Sequence, residues 1–213
     1  MTRLTKLGHA CVRLEKDGAV LVIDPGAFSD PEALSGANVV LATHEHMDHL
    51  QQPRLRAALA QDPGLELWTN DATAAQFAEF GARVHTVEHG DTFSAGGFDV
   101  HVYGSEHAEL HREIRPVGNI GFMLDGDVFH PGDSFTVPED PVRTLLLPVS
   151  APWLKLSEMI DYGRQIAPTR GLAIHDALLS DIGRAVLDQW LGLAAGSTGA
   201  VFSRLDDGAA VDL

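Results

Sequence analysis

The stretch Thr43–Leu50, THEHMDHL, gathers His44, His46, Asp48 and His49 within six positions. Imidazole nitrogens and a carboxylate together suit a borderline divalent cation, zinc first, with manganese or iron as competitors. On a helix, His44 and His46 would point roughly 200° apart at about 3.6 residues per turn, so they can share an ion only from a loop or extended segment. A helical HExxH zinc motif begins with His44 and Glu45 but fails at Asp48, where its second histidine belongs. Composition alone would match the four fixed positions of HxHxDH somewhere in a chain like this on the order of one time in a thousand.

Such a loop must be presented by the elements around it. Asn38–Thr43 (NVVLAT) reads as a short buried strand and the residues from Gln51 onward as a helix, which puts the cluster in a strand-to-helix loop. Loops held at strand ends commonly present ligands. The same placement recurs further on. His107 lies just beyond a strand at Phe98–Tyr103, Asp133 follows a hairpin built from Ile120–Leu124 and Val128–His130, and His175 ends a strand at Gly171–Ile174. A carboxylate placed between two dications can bridge them, one oxygen to each, and Asp133 is the candidate.

Other polar residues have quieter readings. Asp24 is expected to cap the turn that Pro25 and Gly26 demand, and support of the metal loop through hydrogen bonds is compatible with that. His9, in Gly8-His9-Ala10, either faces a pocket or satisfies a backbone group. His85, His89, His101 and His111 are expected to be non-ligands, and Lys155, Arg112 and Arg115 to be solvated rather than to meet an anionic substrate.

The rest of the chain supplies alternating elements. Strands are expected at Arg3–Leu7, Cys11–Glu15, Ala19–Ile23, Leu65–Thr69, Val84–Val87, Thr92–Ala95 and Val142–Val149. Helices are expected from Asn70 or Asp71 through Phe80, at Leu156–Ile166 and at Leu178–Leu193, with a Gly-rich stretch Gly196–Gly199 leading to a last strand at Val201–Arg204. With 213 residues and 45% hydrophobic content, residues 1–213 read as a single α/β domain.

A formal charge of -15 argues against a nucleic-acid backbone binder, since phosphates require clustered Lys and Arg. One cysteine, Cys11, excludes an intrachain disulfide framework and a cysteine-rich zinc site, and reads as a small buried hydrophobe. The N-terminus lacks the apolar core of a signal peptide, and no run of about 18 apolar residues suggests a membrane span. The expected location is the cytoplasm, and the expected partner a small-molecule substrate, with neither nucleic acid nor membrane; the oligomeric state is open.

Taken in order, THEHMDH, His107, Asp133 and His175 resemble the metallo-β-lactamase superfamily, whose signature is HxHxDH followed by later ligand motifs. Leu7-Gly8-His9-Ala10, Ile23-Asp24-Pro25 and Pro131-Gly132-Asp133-Ser134 look most like the branch of small metal-dependent hydrolases that includes ascorbate-6-phosphate lactonase. The resemblance implies a four-layer αββα sandwich with a dinuclear site at one edge of the sheets. It implies that His44, His46 and His107 hold one ion, Asp48, His49 and His175 the other, and that Asp133 bridges. It further implies a hydroxide between the ions that attacks a carbonyl or phosphorus centre, as metal binding can lower the pKa of water to about 7. Asp48, inside the ligand loop, can orient or deprotonate that water.

The expected activity is therefore hydrolysis of a small ester, lactone or phosphodiester by two divalent ions. An iron-dependent oxidoreductase of the same fold and a non-catalytic metal-containing binding protein are the alternatives. His46 disfavours the di-iron oxidoreductase branch, which carries glutamate there. Glu45, Ser134 and Asp176 depart from the usual pattern, and Glu45 adds negative charge close to the ligand loop.

Overall fold

A computed structural model describes residues 1–196 and 199–213. Its strands are β1 Arg3–Lys6, β2 Val12–Lys16, β3 Ala19–Ile23, β4 Val39–Ala42, β5 Glu66–Thr69, β6 Val84–Thr86, β7 Thr92–Ala95, β8 Phe98–Tyr103, β9 Gly121–Leu124, β10 Val128–His130, β11 Thr144–Pro148, β12 Arg170–Ile174, β13 Val201–Arg204 and β14 Ala210–Asp212. The helices are α1 Gln52–Gln61, α2 Asp71–Ala75, α3 Leu156–Ile166 and α4 Asp181–Ala195.

The strands form two seven-stranded sheets, ordered β14-β1-β2-β3-β4-β5-β6 and β13-β12-β11-β10-β9-β8-β7. Each is half antiparallel and half parallel. In the first, pairing is antiparallel from β14 to β3 and parallel from β3 to β6. In the second it is antiparallel from β7 to β10 and parallel from β10 to β13.

Successive side chains of a strand point to opposite faces, so a strand covered on both sides must be apolar throughout. β4 and β11 are buried at every position. Their alternate residues enter different cores. Leu21, Ile23, Val39, Leu41, Leu146, Leu172 and Ile174 meet Phe98, Val102 and Phe122 between the two sheets. Val22, Val40 and Leu67 face the other way, onto Leu55 and Leu59 of α1 and onto Phe77. Leu145, Leu147 and Ala173 pack outward on Met159 and Tyr162 of α3 and on Leu187 and Leu191 of α4. Three cores between four layers make the αββα sandwich.

Most expected strands shift by one or two residues at an end, as β11 does in spanning Thr144–Pro148 rather than Val142–Val149, and three departures are larger. The helix expected through Phe80 stops at Ala75; Phe77 turns inward to be fully buried, and a 3-10 segment at Ala78–Arg83 follows, broken at Gly81 with φ 58°. The last helix starts at Asp181 rather than Leu178, because Ser180 caps it by accepting the Gly183 N–H. β14, three residues long, had no local pattern to reveal it and exists through its pairing with β1. Of the Gly-rich stretch, residues 197 and 198 lie outside the described residues.

Strand direction then places the chemistry. β1, β3 and β4 run the same way in the first sheet, and β8, β10 and β12 the same way in the second. His9, Asp24, the loop 43–50, His107, Asp133 and His175 each follow the carboxyl end of one of these strands. The two sets of ends meet, as shown by the His175 N–H donating to the His9 carbonyl at 3.0 Å. Beside that contact, the buried Lys6 ammonium reaches both oxygens of Asp176 at 2.7 and 2.8 Å, tying β1 to the residue after His175. Among the described residues, no helix is long and apolar enough to cross a membrane.

Candidate metal centre

Seven residues singled out in the sequence converge at this edge, and an eighth joins them. His44, His46, His107 and Asp133 form one group, and His9, Asp48, His49 and His175 another; in each group the ligating atoms lie within 4.8 Å of one another. Asp133 stands between the groups. Its Oδ1 is 3.0 Å from His49 Nε2, and its Oδ2 is 3.3 Å from His107 Nε2 and 3.2 Å from His175 Nε2. His85, His89, His101 and His111 belong to neither group.

The ligand loop is held down from beneath. Asp24 Oδ1 accepts the Thr43 N–H, and Oδ2 accepts the Thr43 hydroxyl, each at 2.8 Å. Oδ2 also lies 2.7 Å from His49 Nδ1. Asp24 therefore supports the loop as well as turning the chain, at φ 51° in the left-handed region that Asp tolerates better than most residues. Two glycines let the backbone come close enough. A Cβ on Gly26 would fall on the Asp48 carbonyl oxygen, and one on Gly132, at φ 63°, would strike the Asn119 amide and Thr43. Asn119 in turn accepts the Asp133 N–H at 3.0 Å and donates to the Pro131 carbonyl at 2.9 Å, fixing the turn that carries the bridging carboxylate.

These contacts also fix the imidazole tautomers, since the nitrogen that donates outward leaves the other with its lone pair. His107 Nδ1 donates to the Ala108 carbonyl and His175 Nδ1 to the Ser150 carbonyl, both at 2.6 Å. His49 Nδ1 donates to Asp24, and His44 Nδ1 to the Thr43 hydroxyl at 2.9 Å, whose own proton goes to Asp24. All four Nε2 atoms face inward. His44 Nε2 lies 3.0 Å from His46 Nδ1, so two ring nitrogens point at the same space. His49 Nε2, His175 Nε2 and Asp133 Oδ1 are buried without a hydrogen-bond partner. Such a set of converging lone pairs is costly alone and is what a dication needs, so the residues fit two metal ions.

Electrostatics agree with this fit. Burial holds His44 well below and His46 below the ordinary imidazole range, so both are neutral. Burial also opposes charge on His49 and His175, yet neighbouring carboxylates win. Asp133 and Asp24 raise His49 well above its ordinary value, and Asp133 with Asp48 raises His175 to about 9. Asp133, despite its burial, is pulled far down by His49, His107 and His175. In the absence of a cation these carboxylates draw protons onto the rings that a metal requires free.

That competition has a sign. The raised His175 gives the metal-free protein stability that is complete below the ordinary value of 6.5 and is lost as pH rises through about 9. Metal binding needs the opposite protonation state. Apparent metal affinity is therefore expected to climb between pH 6.5 and about 9, with about one to two protons released per chain near neutrality. Calorimetry in buffers of different ionisation enthalpy measures the release; a pH-independent affinity across that window contradicts the assignment.

Residues that sequence reasoning passed over complete the site. Trp153 Nε1 donates to Asp133 Oδ2 at 2.9 Å. Buried His130 accepts the Gly132 N–H at 3.0 Å through Nδ1 and lies 2.9 Å from the Ala10 carbonyl through Nε2. No local signal marked either one, although Trp153 stood in a loop with an obvious indole donor. Glu45 hydrogen-bonds to the Gln76 side chain at 2.7 Å, which turns its carboxylate toward α2. A cavity of about 470 Å³ opens beside His107, walled by Trp153, Phe135, Ser134 and Thr136.

Residues 3–175 match the family described as the beta-lactamase superfamily domain. The chain belongs to that superfamily. It is 37% identical over 191 residues to Protein Rv0786c of Mycobacterium tuberculosis, covering 86% of this chain and 88% of the relative. It is 26% identical over 165 residues to a UPF0173 metal-dependent hydrolase of Carboxydothermus hydrogenoformans, covering 69% and 72%. The solved structure of Igni18, a metallo hydrolase from Ignicoccus hospitalis, superposes with a TM-score of 0.74 at 18% identity, covering 99% of this chain and 97% of that one. The superposition shows that the fold is shared.

Proposed function

We propose that the protein is a dinuclear hydrolase of small esters, lactones or phosphodiesters, with His44, His46 and His107 holding one ion, Asp48, His49 and His175 the other, and Asp133 shared. The observation that carries this reading is the position of Asp133, whose two oxygens reach ligands of both groups. Two such ions, when bound, supply a nucleophilic water at neutral pH and stabilise the oxyanion that develops on the substrate.

The chain's own residues do the rest. Trp153 and Asn119 hold Asp133 in place through its side chain and backbone. Asp48, with 22% of its side chain exposed, stands where the buried centre meets solvent. Burial opposes charge on Asp48, but contacts with His175 and His9 hold it far below the ordinary carboxylate value, so it remains an acceptor for a water proton and can orient that water. The cavity beside His107 gives a substrate an aromatic wall and two hydroxyls. Imidazole and carboxylate donors favour zinc, with manganese or iron as competitors. The buried free thiol of Cys11 is consistent with a reducing cytoplasm.

The test combines metal analysis with a substrate panel. Two ions per chain are expected, with turnover of at least one of a carboxylic ester, a lactone or a phosphodiester, and loss of metal in His44→Ala and His175→Ala. Fewer than one ion in the reconstituted protein, or unchanged metal content in both variants, overturns the site. Iron with oxygen consumption and no hydrolysis would replace the hydrolase reading by an oxidoreductase one.

A further inference from the structure

His9 sits among the atoms of the second group, within the same 4.8 Å as Asp48, His49 and His175, and proximity alone would make it a fourth ligand. Its surroundings say otherwise. The four rings whose Nε2 faces the centre each use Nδ1 as a donor, to Ala108, Ser150, Asp24 or Thr43, so Nε2 is the nitrogen free to take an ion. His9 is reversed. Its Nδ1 accepts the backbone N–H of Ala177 at 3.3 Å, so in a neutral ring the proton lies on Nε2. That Nε2 is 3.3 Å from Asp48 Oδ2, an acceptor. A nitrogen that carries a hydrogen cannot ligate a metal.

The backbone is built to hold this arrangement. His9 is buried and adopts φ 52°, in the left-handed region uncommon outside glycine, and its carbonyl accepts the His175 N–H at 3.0 Å. Gly8 before it, at φ 99°, lies so close to the Phe28 carbonyl that a Cβ would reach 2.7 Å from the oxygen. The ring packs edge-on against Phe28 at 5.4 Å between centroids and lies 3.9 Å from the His175 ring. Strained backbone retained at a site reflects a constraint from the surroundings, and here every constraint fixes the direction of one N–H.

We infer that His9 is a positioning residue: its Nε2–H donates to Asp48 Oδ2 and holds that carboxylate at the mouth of the centre, leaving the second group three ligands of its own rather than four. The inference rests on the reading that the two groups hold metals. Its consequence is that Asp48, the most exposed member of the second group, is held as rigidly as the buried ones.

The experiment is nitrogen-15 NMR of the imidazole rings in the zinc-loaded full chain. His9 is expected to show a protonated Nε2 and an unprotonated Nδ1, with no metal-induced shift on Nε2. A deprotonated, metal-shifted His9 Nε2, or a proton on Nδ1, overturns the proposal. Two variants add a second readout. His9→Gln keeps an N–H donor of similar reach and is expected to retain both zinc ions with affinity within about threefold of wild type, while His9→Phe keeps the ring and is expected to weaken the second ion about 10-fold to 100-fold. Equal loss of the second ion in both variants identifies His9 as a ligand and refutes the positioning role. Fewer than one zinc in the wild type would instead refute the metal-centre reading and with it the premise of this inference, an outcome distinct from a metal-shifted His9 Nε2.

Discussion

Asp133→Asn is expected to reduce the bound metal from two ions to at most one per chain and to lower kcat/KM by about a thousandfold or more, equivalent to roughly 4 kcal/mol of transition-state stabilisation. The substitution keeps the volume of the side chain and removes its charge. Trp153 Nε1 donates to one oxygen, so the amide would orient its remaining oxygen toward the indole and its NH2 toward His49. In the proposed dinuclear site, the group that would bridge then becomes a donor on the side where an ion would need an acceptor. The loss differs from that of a terminal ligand because both groups share this carboxylate.

The same variant reports on the metal-free protein. Asp133 is the anion that His49 and His175 gather around, and removing one partner of a buried ionic cluster typically costs about 3–5 kcal/mol. The rings can shed their protons instead, which bounds the cost. The destabilisation is therefore expected to be largest below pH 6.5 and to shrink as pH rises through about 9, where His175 is neutral in the wild type as well. Urea unfolding in chelator across that range measures it. Two ions bound at wild-type affinity in the variant would remove Asp133 from the bridging position.

The legible and illegible parts of this site divide along a physical line. THEHMDHL could be read because its donors are adjacent in sequence and because Val39–Ala42 before it is apolar enough to be a doubly covered strand. His107, Asp133 and His175 could be read by their recurrence after apolar strands. The contacts that choose each ring's tautomer could not. They come from backbone carbonyls at Ala108 and Ser150, from a peptide N–H at Ala177 and from the indole of Trp153, none of which has a periodic signature. The fold divides similarly. The alternation that sends Leu21 and Ile23 to one core and Val22 to another is local, whereas β14 depends on a partner at the opposite end of the chain.

Asp24→Asn is expected to show how far such a contact acts through the metal ligand it supports. The left-handed φ of 51° suits Asn as well as Asp, so the backbone turn survives. The hydrogen bonds do not. Both carboxylate oxygens of Asp24 are acceptors, one for the Thr43 N–H and the other for the Thr43 hydroxyl and His49 Nδ1. Asn offers one acceptor and one donor. If its oxygen keeps the Thr43 N–H, its NH2 faces His49 Nδ1, and the ring relieves the clash by moving its proton to Nε2. That proton then occupies the lone pair the second ion requires. Affinity for that ion is expected to fall about 10-fold to 100-fold, with the first ion retained. The metal-free fold should lose about 1–3 kcal/mol, the usual cost of a mismatched buried polar group. Metal titration paired with thermal melts separates the two effects. Full affinity for both ions would mean that His49 holds its tautomer without Asp24, and that the carboxylate serves only the turn at Pro25 and Gly26.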